Sequence, residues 1–172
     1  MLIILGGLPG SGKTTVARAL ATRLGAAHLR IDSIEQALLR SGEMRPGAPT
    51  IAGYVAAYAV AEDCLRAGAM VVADSVNPVA ATRTAWLDVA HRAGSDPLQV
   101  GVICSDPAEH RRRVETRTAD IEGHLQPTWQ EVLDRKFEPW PDNVVVVDTA
   151  RHSTDESVAI ILARLTSSRN LI

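Results

Sequence analysis

Short runs of Val, Ile, Leu and Ala recur along the chain, and between them apolar positions return every three or four residues. The first pattern suits a strand buried on both faces, the second an amphipathic helix. Strands are predicted over residues 2–6, 27–32, 69–75, 98–104 and 143–148. Apolar strands alternating with helices predict an α/β domain, a parallel sheet covered on both sides. Chemistry marks the helix boundaries. "KTTVARALATRL" runs at helical period and stops at Gly25. Asp106-Pro107-Ala108-Glu109 offers an N-cap, a first-turn proline and a reciprocating acid three residues on. Thr128-Trp129-Gln130-Glu131 and Ser153-Thr154-Asp155-Glu156 have the form of capping boxes. Residues 41–53 and 118–127 lack a strong pattern; such segments serve either as lids and binding loops or as plain connections. No repeat or linker interrupts the 172 residues, which are expected to form a single domain.

The turn after the first strand adds chemistry. "GLPGSGKTT", Gly7 to Thr15, fits G-x-x-x-x-G-K-[ST] through Gly7, Gly12, Lys13 and Thr14. Glycines let successive N–H groups curl around a polyphosphate, and the helix that begins here brings its positive dipole end to the same anion. Gly10, Ser11, Gly12, Lys13, Thr14 and Thr15 are therefore expected to bind a nucleoside triphosphate. Lys13 can reach the β- and γ-phosphates, and the Thr14 hydroxyl can ligate Mg²⁺.

Composition narrows the partners. Hydrophobic residues make up 46% but aromatics only 3%, so small and branched aliphatics must fill the core. A net charge of −2 and an isoelectric point near 6.2 argue mildly against a protein dedicated to nucleic acid. Cys64 and Cys104 lie in apolar stretches and are expected to be buried free thiols. "MLIILGG" has no basic stretch before it, and no apolar run is long enough to span a membrane. The expectation is a cytoplasmic protein without membrane association.

Two acids fall at predicted strand ends, where an open α/β sheet presents groups to a ligand. Asp32 ends "HLRID" and Asp74 falls in "MVVADS". One suits coordination of Mg²⁺, the other acceptance of a proton from an attacking hydroxyl; either could instead cap the following helix. Arg113 and Arg117 in "EHRRRVETR" are four apart, so a helix places them on one face with His110. Such arginines can neutralise a transferring phosphoryl group or merely decorate a solvated surface. None of the five histidines has metal-ligand spacing.

No N-K-x-D or L-S-G-G-Q motif is present, and the chain is short for a ring ATPase with a helical lid domain. The layout resembles the small-molecule kinases: gluconate, shikimate and adenylyl-sulfate kinases, chloramphenicol phosphotransferase, zeta-toxin-like kinases and polynucleotide 5′-kinases. Over nearly its whole length the chain resembles the kinase domain of phage-type polynucleotide kinase. The residues carrying this are "GLPGSGKTT", Arg30 and Asp32 in "RID", "DSVNPVAATRTAW" from Asp74 to Trp86, and Arg113 with Arg117. The resemblance implies a three-layer phosphate-loop fold, strand order 2-3-1-4-5, and a short lid between strands four and five. It also implies ATP and Mg²⁺ as cofactors. Asp32 is then the general base, Arg117 stabilises the moving phosphoryl with Lys13, and Arg113 lies near the nucleobase. Asp74 serves the metal with Thr14 or, with Arg30 and Asn77, the acceptor. The implied partner is a small hydroxyl-bearing molecule. A polynucleotide acceptor is disfavoured because only Arg40, Arg45, Tyr54 and Tyr58 could form a basic-aromatic strip. A nucleotide switch without a dedicated acceptor is the other open reading.

Overall fold

The computed structural model describes residues 1–47 and 50–169, so part of the 41–53 segment lies outside the described residues. Alternation along β1 (Leu2–Gly6) divides the core in two. Ile3 and Leu5 join Val16 and Leu20 of α1 (Lys13–Leu24) on one face, while Leu2 and Ile4 turn to the other. β1 is wholly buried because strands flank it on both sides. The sheet runs β2 (Ala27–Arg30), β3 (Val71–Asp74), β1, β4 (Pro97–Ile103), β5 (Val145–Asp148), all pairs parallel. This is the order that the resemblance implied.

Helices α1 and α7 (Thr154–Arg169) cover the first face; Val158, Ile161 and Leu165 complete its cluster. The second face takes α2 (Ile31–Ser41), α3 (Ala52–Arg66) and α4 (Ala80–Arg92). Trp86 anchors it, fully buried, with the Tyr58 ring set edge-on at 4.6 Å. Trp86→Ala is expected to cost about 3–5 kcal/mol, and thermal unfolding should show a midpoint lowered by roughly 6–20 °C. A drop below about 3 °C would mean that the indole is not what fills this layer.

Between β4 and β5 lie α5 (Pro107–Thr116) and the short α6 (Trp129–Leu133). Asp106 caps α5, accepting from Ala108 and Glu109 N–H at 2.9 and 3.2 Å. Glu109 does not reciprocate: its carboxylate is taken by Arg112 and Arg113. The capping boxes at Thr128 and Ser153 both form. Residues 117–128 contain no regular element, and within them Asp120 meets Arg30 at the end of β2 and Arg18 in the middle of α1. Cys64 and Cys104 are free but half-buried rather than buried. Among the described residues no helix is long and apolar enough to cross a membrane.

Candidate active site

Between β1 and α1 the chain forms a loop whose backbone requires glycine at two points. Gly10 and Gly12 have φ of +83° and +87°, in the left-handed region. A Cβ at Gly10 would lie 2.5 Å from Val114 Cγ2, so α5 closes that side of the loop. Gly12 is the N-cap of α1 and no side chain caps the helix, which leaves first-turn N–H groups available to an anion. The loop is braced from outside. His110, buried, pairs through Nε2 with the Pro9 carbonyl at 2.8 Å, so Nε2 must carry the proton. The Thr149 hydroxyl, just past β5, donates to the Ser11 carbonyl at 2.7 Å and accepts from Arg113 at 2.7 Å.

Beside the loop opens a cleft of about 550 Å³, lined by Lys13, Asp32, Glu35, Tyr54, Arg117 and His124 among others. Asp32 Oδ2 stands 3.7 Å from an Arg30 nitrogen and 4.0 Å from His124 Nε2. Burial lowers the Arg117 pKa and Asp32 opposes the shift; the guanidinium stays charged. Asp74, 2% exposed at the end of β3, accepts from His28 at 3.3 Å. Burial pushes its carboxyl up, but His28, Lys13 and the Thr14 hydroxyl outweigh burial and hold it below the usual carboxylate range. A separate pocket of about 330 Å³ is bounded by Gly12, Thr15, Arg113, Thr149 and His152.

Residues 2–137 match the AAA domain family, which is more than three-quarters of the chain. The chain belongs to that family. No curated protein sequence matches it significantly. Its fold is shared with solved P-loop kinases. A proposed kinase from Chloroflexus aurantiacus is 23% identical, with a TM-score of 0.73 over 96% of each chain. A gluconokinase from Sinorhizobium meliloti is 22% identical, with a TM-score of 0.66 over 98% of this chain and 94% of that one. The Mycobacterium tuberculosis APS kinase CysC, solved with AMPPNP and APS, is 20% identical, with a TM-score of 0.67 over 96% of each. At these identities the likeness is one of fold.

Several expected positions move. β2 stops at Arg30, so Asp32 is not a strand-end residue but sits in the first turn of α2. It does not cap that helix, because Arg30 holds the N-cap position. Arg113 and Arg117 do not share a helix face, since α5 ends at Thr116 and Arg117 leaves with ψ near 139°. Their side chains part: Arg117 enters the cleft, while Arg113 binds Glu109 and both the hydroxyl and carbonyl of Thr149.

Asn77 does not line the cleft. It is fully buried, with φ of +49°, and its amide donates to the Leu5 carbonyl at 2.9 Å. Arg30 is tied by two hydrogen bonds, 2.7 and 3.0 Å, to Asp120. Tyr58 is spent on Trp86 and the Thr82 carbonyl, and the Tyr54 hydroxyl accepts from Asn77 N–H at 3.3 Å. A basic-aromatic strip for nucleic acid is therefore not assembled from these rings.

Sequence reasoning missed Glu35, Asp120, His124 and Thr149. Glu35 lies one turn after Asp32 on α2, a spacing that could have revealed it once the helix was seen to start at Ile31. Thr149 follows the last strand at its ligand-facing end. Nothing local marks Asp120 or His124, whose partners lie about 90 residues away.

Proposed function

We propose that this protein transfers the γ-phosphate of ATP to a hydroxyl group of a small molecule. The observation that carries the reading is one cleft bringing Lys13, Arg117 and Asp32 together beside an uncapped helix N-terminus. Lys13 and the loop N–H groups hold the β- and γ-phosphates. The acceptor hydroxyl attacks the γ-phosphorus, its bond to the β–γ bridging oxygen breaks, and ADP leaves. Asp32 takes the acceptor proton, and Arg117 balances charge on the moving phosphoryl group.

Thr14 and Asp74 fit a Mg²⁺ ion. Asp74 Oδ1 is buried with no hydrogen-bond partner, and the carboxylate is kept ionised. Among the described residues no group of three or more His, Cys, Asp or Glu could hold a metal, so Thr14 and Asp74 are the residues that would hold this ion. A Mg²⁺ ion held there would supply charge neutralisation on the phosphates. A cytoplasmic location belongs to the same reading, supported by the ATP requirement and two free cysteines.

The 330 Å³ pocket suits the nucleobase, with the flat Arg113 guanidinium, fixed by Glu109 and Thr149, as one wall. Arg113→Ala should weaken ATP binding about tenfold in a nucleotide titration, through loss of stacking and of the Thr149 brace. An unchanged Kd would remove Arg113 from the nucleotide site. For the activity itself, ATP consumption is measured against hydroxyl-bearing metabolites, antibiotics, nucleosides and 5′-hydroxyl oligonucleotides. Stimulation by a small acceptor supports the reading. Stimulation by oligonucleotides alone, or by nothing, overturns it.

A further inference from the structure

Lys13, Asp32 and Arg117 meet in the cleft but come from three separate pieces of chain. Lys13 begins α1, Asp32 lies in the first turn of α2, and Arg117 opens the irregular 117–128 segment. One carboxylate joins all three pieces. Asp120, in that segment, accepts from Arg30 at 2.7 and 3.0 Å and from Arg18 at 2.9 Å. Arg18 stands on α1, while Arg30 ends β2 and holds the N-cap position of α2. The Arg30 pair is bidentate, a geometry that fixes direction as well as distance.

Asp120 is not part of the cleft lining, so it reaches the chemistry only through its neighbours. Hydrogen bonding to Arg30, opposed by burial and aided by Arg18, holds its carboxyl well below the usual carboxylate range. Burial and the Arg30 charge disfavour the Arg117 guanidinium, while Asp32 and Asp120 favour it. Asp120 thus offsets a repulsion between two arginines as well as fastening the segment. Elsewhere the segment is held locally, as by the His124 N–H on the Ile121 carbonyl at 3.2 Å. The Asp120 and Arg18 side chains are both about half exposed, so their pairing adds little to stability. What the clasp controls is position.

We propose that Asp120 is a positioning residue for Arg117: its clasp on Arg30 and Arg18 sets the guanidinium in the cleft with Lys13 and Asp32. This rests on the kinase reading above, in which Arg117 balances charge on the moving phosphoryl group. Without the carboxylate the segment loses three charge-assisted hydrogen bonds, and Arg30 and Arg117 face each other with less between them. A displacement of the order of 1 Å at a charge-stabilising group costs rate steeply, while affinity for the nucleotide stays with the loop and Lys13.

A double-mutant cycle on the full chain tests this, with Mg²⁺ATP as substrate and water as acceptor until a better one is known. Asp120→Asn should lower kcat about tenfold or more, leave the ATP Kd within about twofold, and lower the thermal midpoint by at most about 4 °C. Arg18→Gln removes one of the three bonds and should give a smaller loss of kcat in the same direction. Arg117→Ala should be slower by about a hundredfold or more, and in that background neither change should slow turnover further. Losses that multiply instead would mean that Asp120 acts elsewhere, as through Arg30 on Asp32, and overturn the inference. Unchanged kcat in Asp120→Asn overturns it too, and so does collapse of the fold, which would make the clasp structural. If Arg117→Ala alone leaves turnover intact, the role given to Arg117 falls and takes this inference with it. The kinase reading falls separately, only if no small hydroxyl compound stimulates ATP consumption.

Discussion

Replacing Lys13 with alanine is expected to cut ATP turnover by about a hundredfold or more while the protein stays folded. The ammonium enters the cleft beside Arg117, where it can follow charge from the β–γ bridge onto the leaving phosphate. No other lysine lines that cleft. The fold should tolerate the change because the residue contributes to neither hydrophobic cluster. Some stability is lost, since Lys13 is one of the groups that favour the buried Asp74 carboxylate. Turnover and thermal midpoint are measured together. Retained turnover would take the loop out of the mechanism, whereas collapse of the fold would make Lys13 chiefly a counter-ion for Asp74.

Much of this was readable from the chain because local signals and the fold agree. The apolar runs gave the strands to within about two residues at each end, and glycine spacing gave the loop conformation. Asp74 was placed at its strand end because β3 is central and cannot shift without exposing Val71 or Val72. β2 was harder. It is an edge strand whose four residues are all half-buried, so the apolar signal does not mark where it stops. "RID" therefore reads as strand although the backbone has already turned into helix.

The motif "DSVNPVAATRTAW" teaches a different lesson. It suggested acceptor contacts, and the structure uses most of it for packing. Asn77 ties the start of the stretch to β1, Trp86 fills a core layer, and Arg83 is buried against the Glu138 and Pro139 carbonyls. The Arg83 guanidinium also sits 4.7 Å from the centre of the Trp140 ring. Residue type alone does not separate these roles, because a buried arginine and a ligand-binding one look alike until their partners are known. The same applies to the paired arginines of α5. Four-residue spacing predicts a shared face only while the helix lasts, and it ends one residue too soon.

Asp32→Asn distinguishes a kinase from a nucleotide switch, and phosphoryl transfer is expected to fall by about 10²–10⁴. Asparagine keeps the size and can still accept a hydrogen bond, but it cannot take a proton at neutral pH. Asp32 has what a base needs: it lines the cleft with Lys13, its side chain is 29% exposed, and among the described residues no close hydrogen bond occupies its oxygens. Arg30 and His124, at 3.7 and 4.0 Å, are near enough to orient it without consuming it. The change has a second, smaller effect. A first-turn acid on α2 interacts favourably with the helix dipole, so stability should drop by about 0.3–1 kcal/mol, a shift of only a few degrees. Nucleotide affinity should hardly move, because the loop and Lys13 carry it. The measurement is kcat for transfer alongside the nucleotide Kd in wild type and variant; before an acceptor is known, slow ATP hydrolysis serves, with water in the acceptor's place. Equal transfer rates would sink the base assignment. Weakened nucleotide binding with transfer intact would instead move Asp32 to the metal, and leave the acceptor proton to another group of the same cleft.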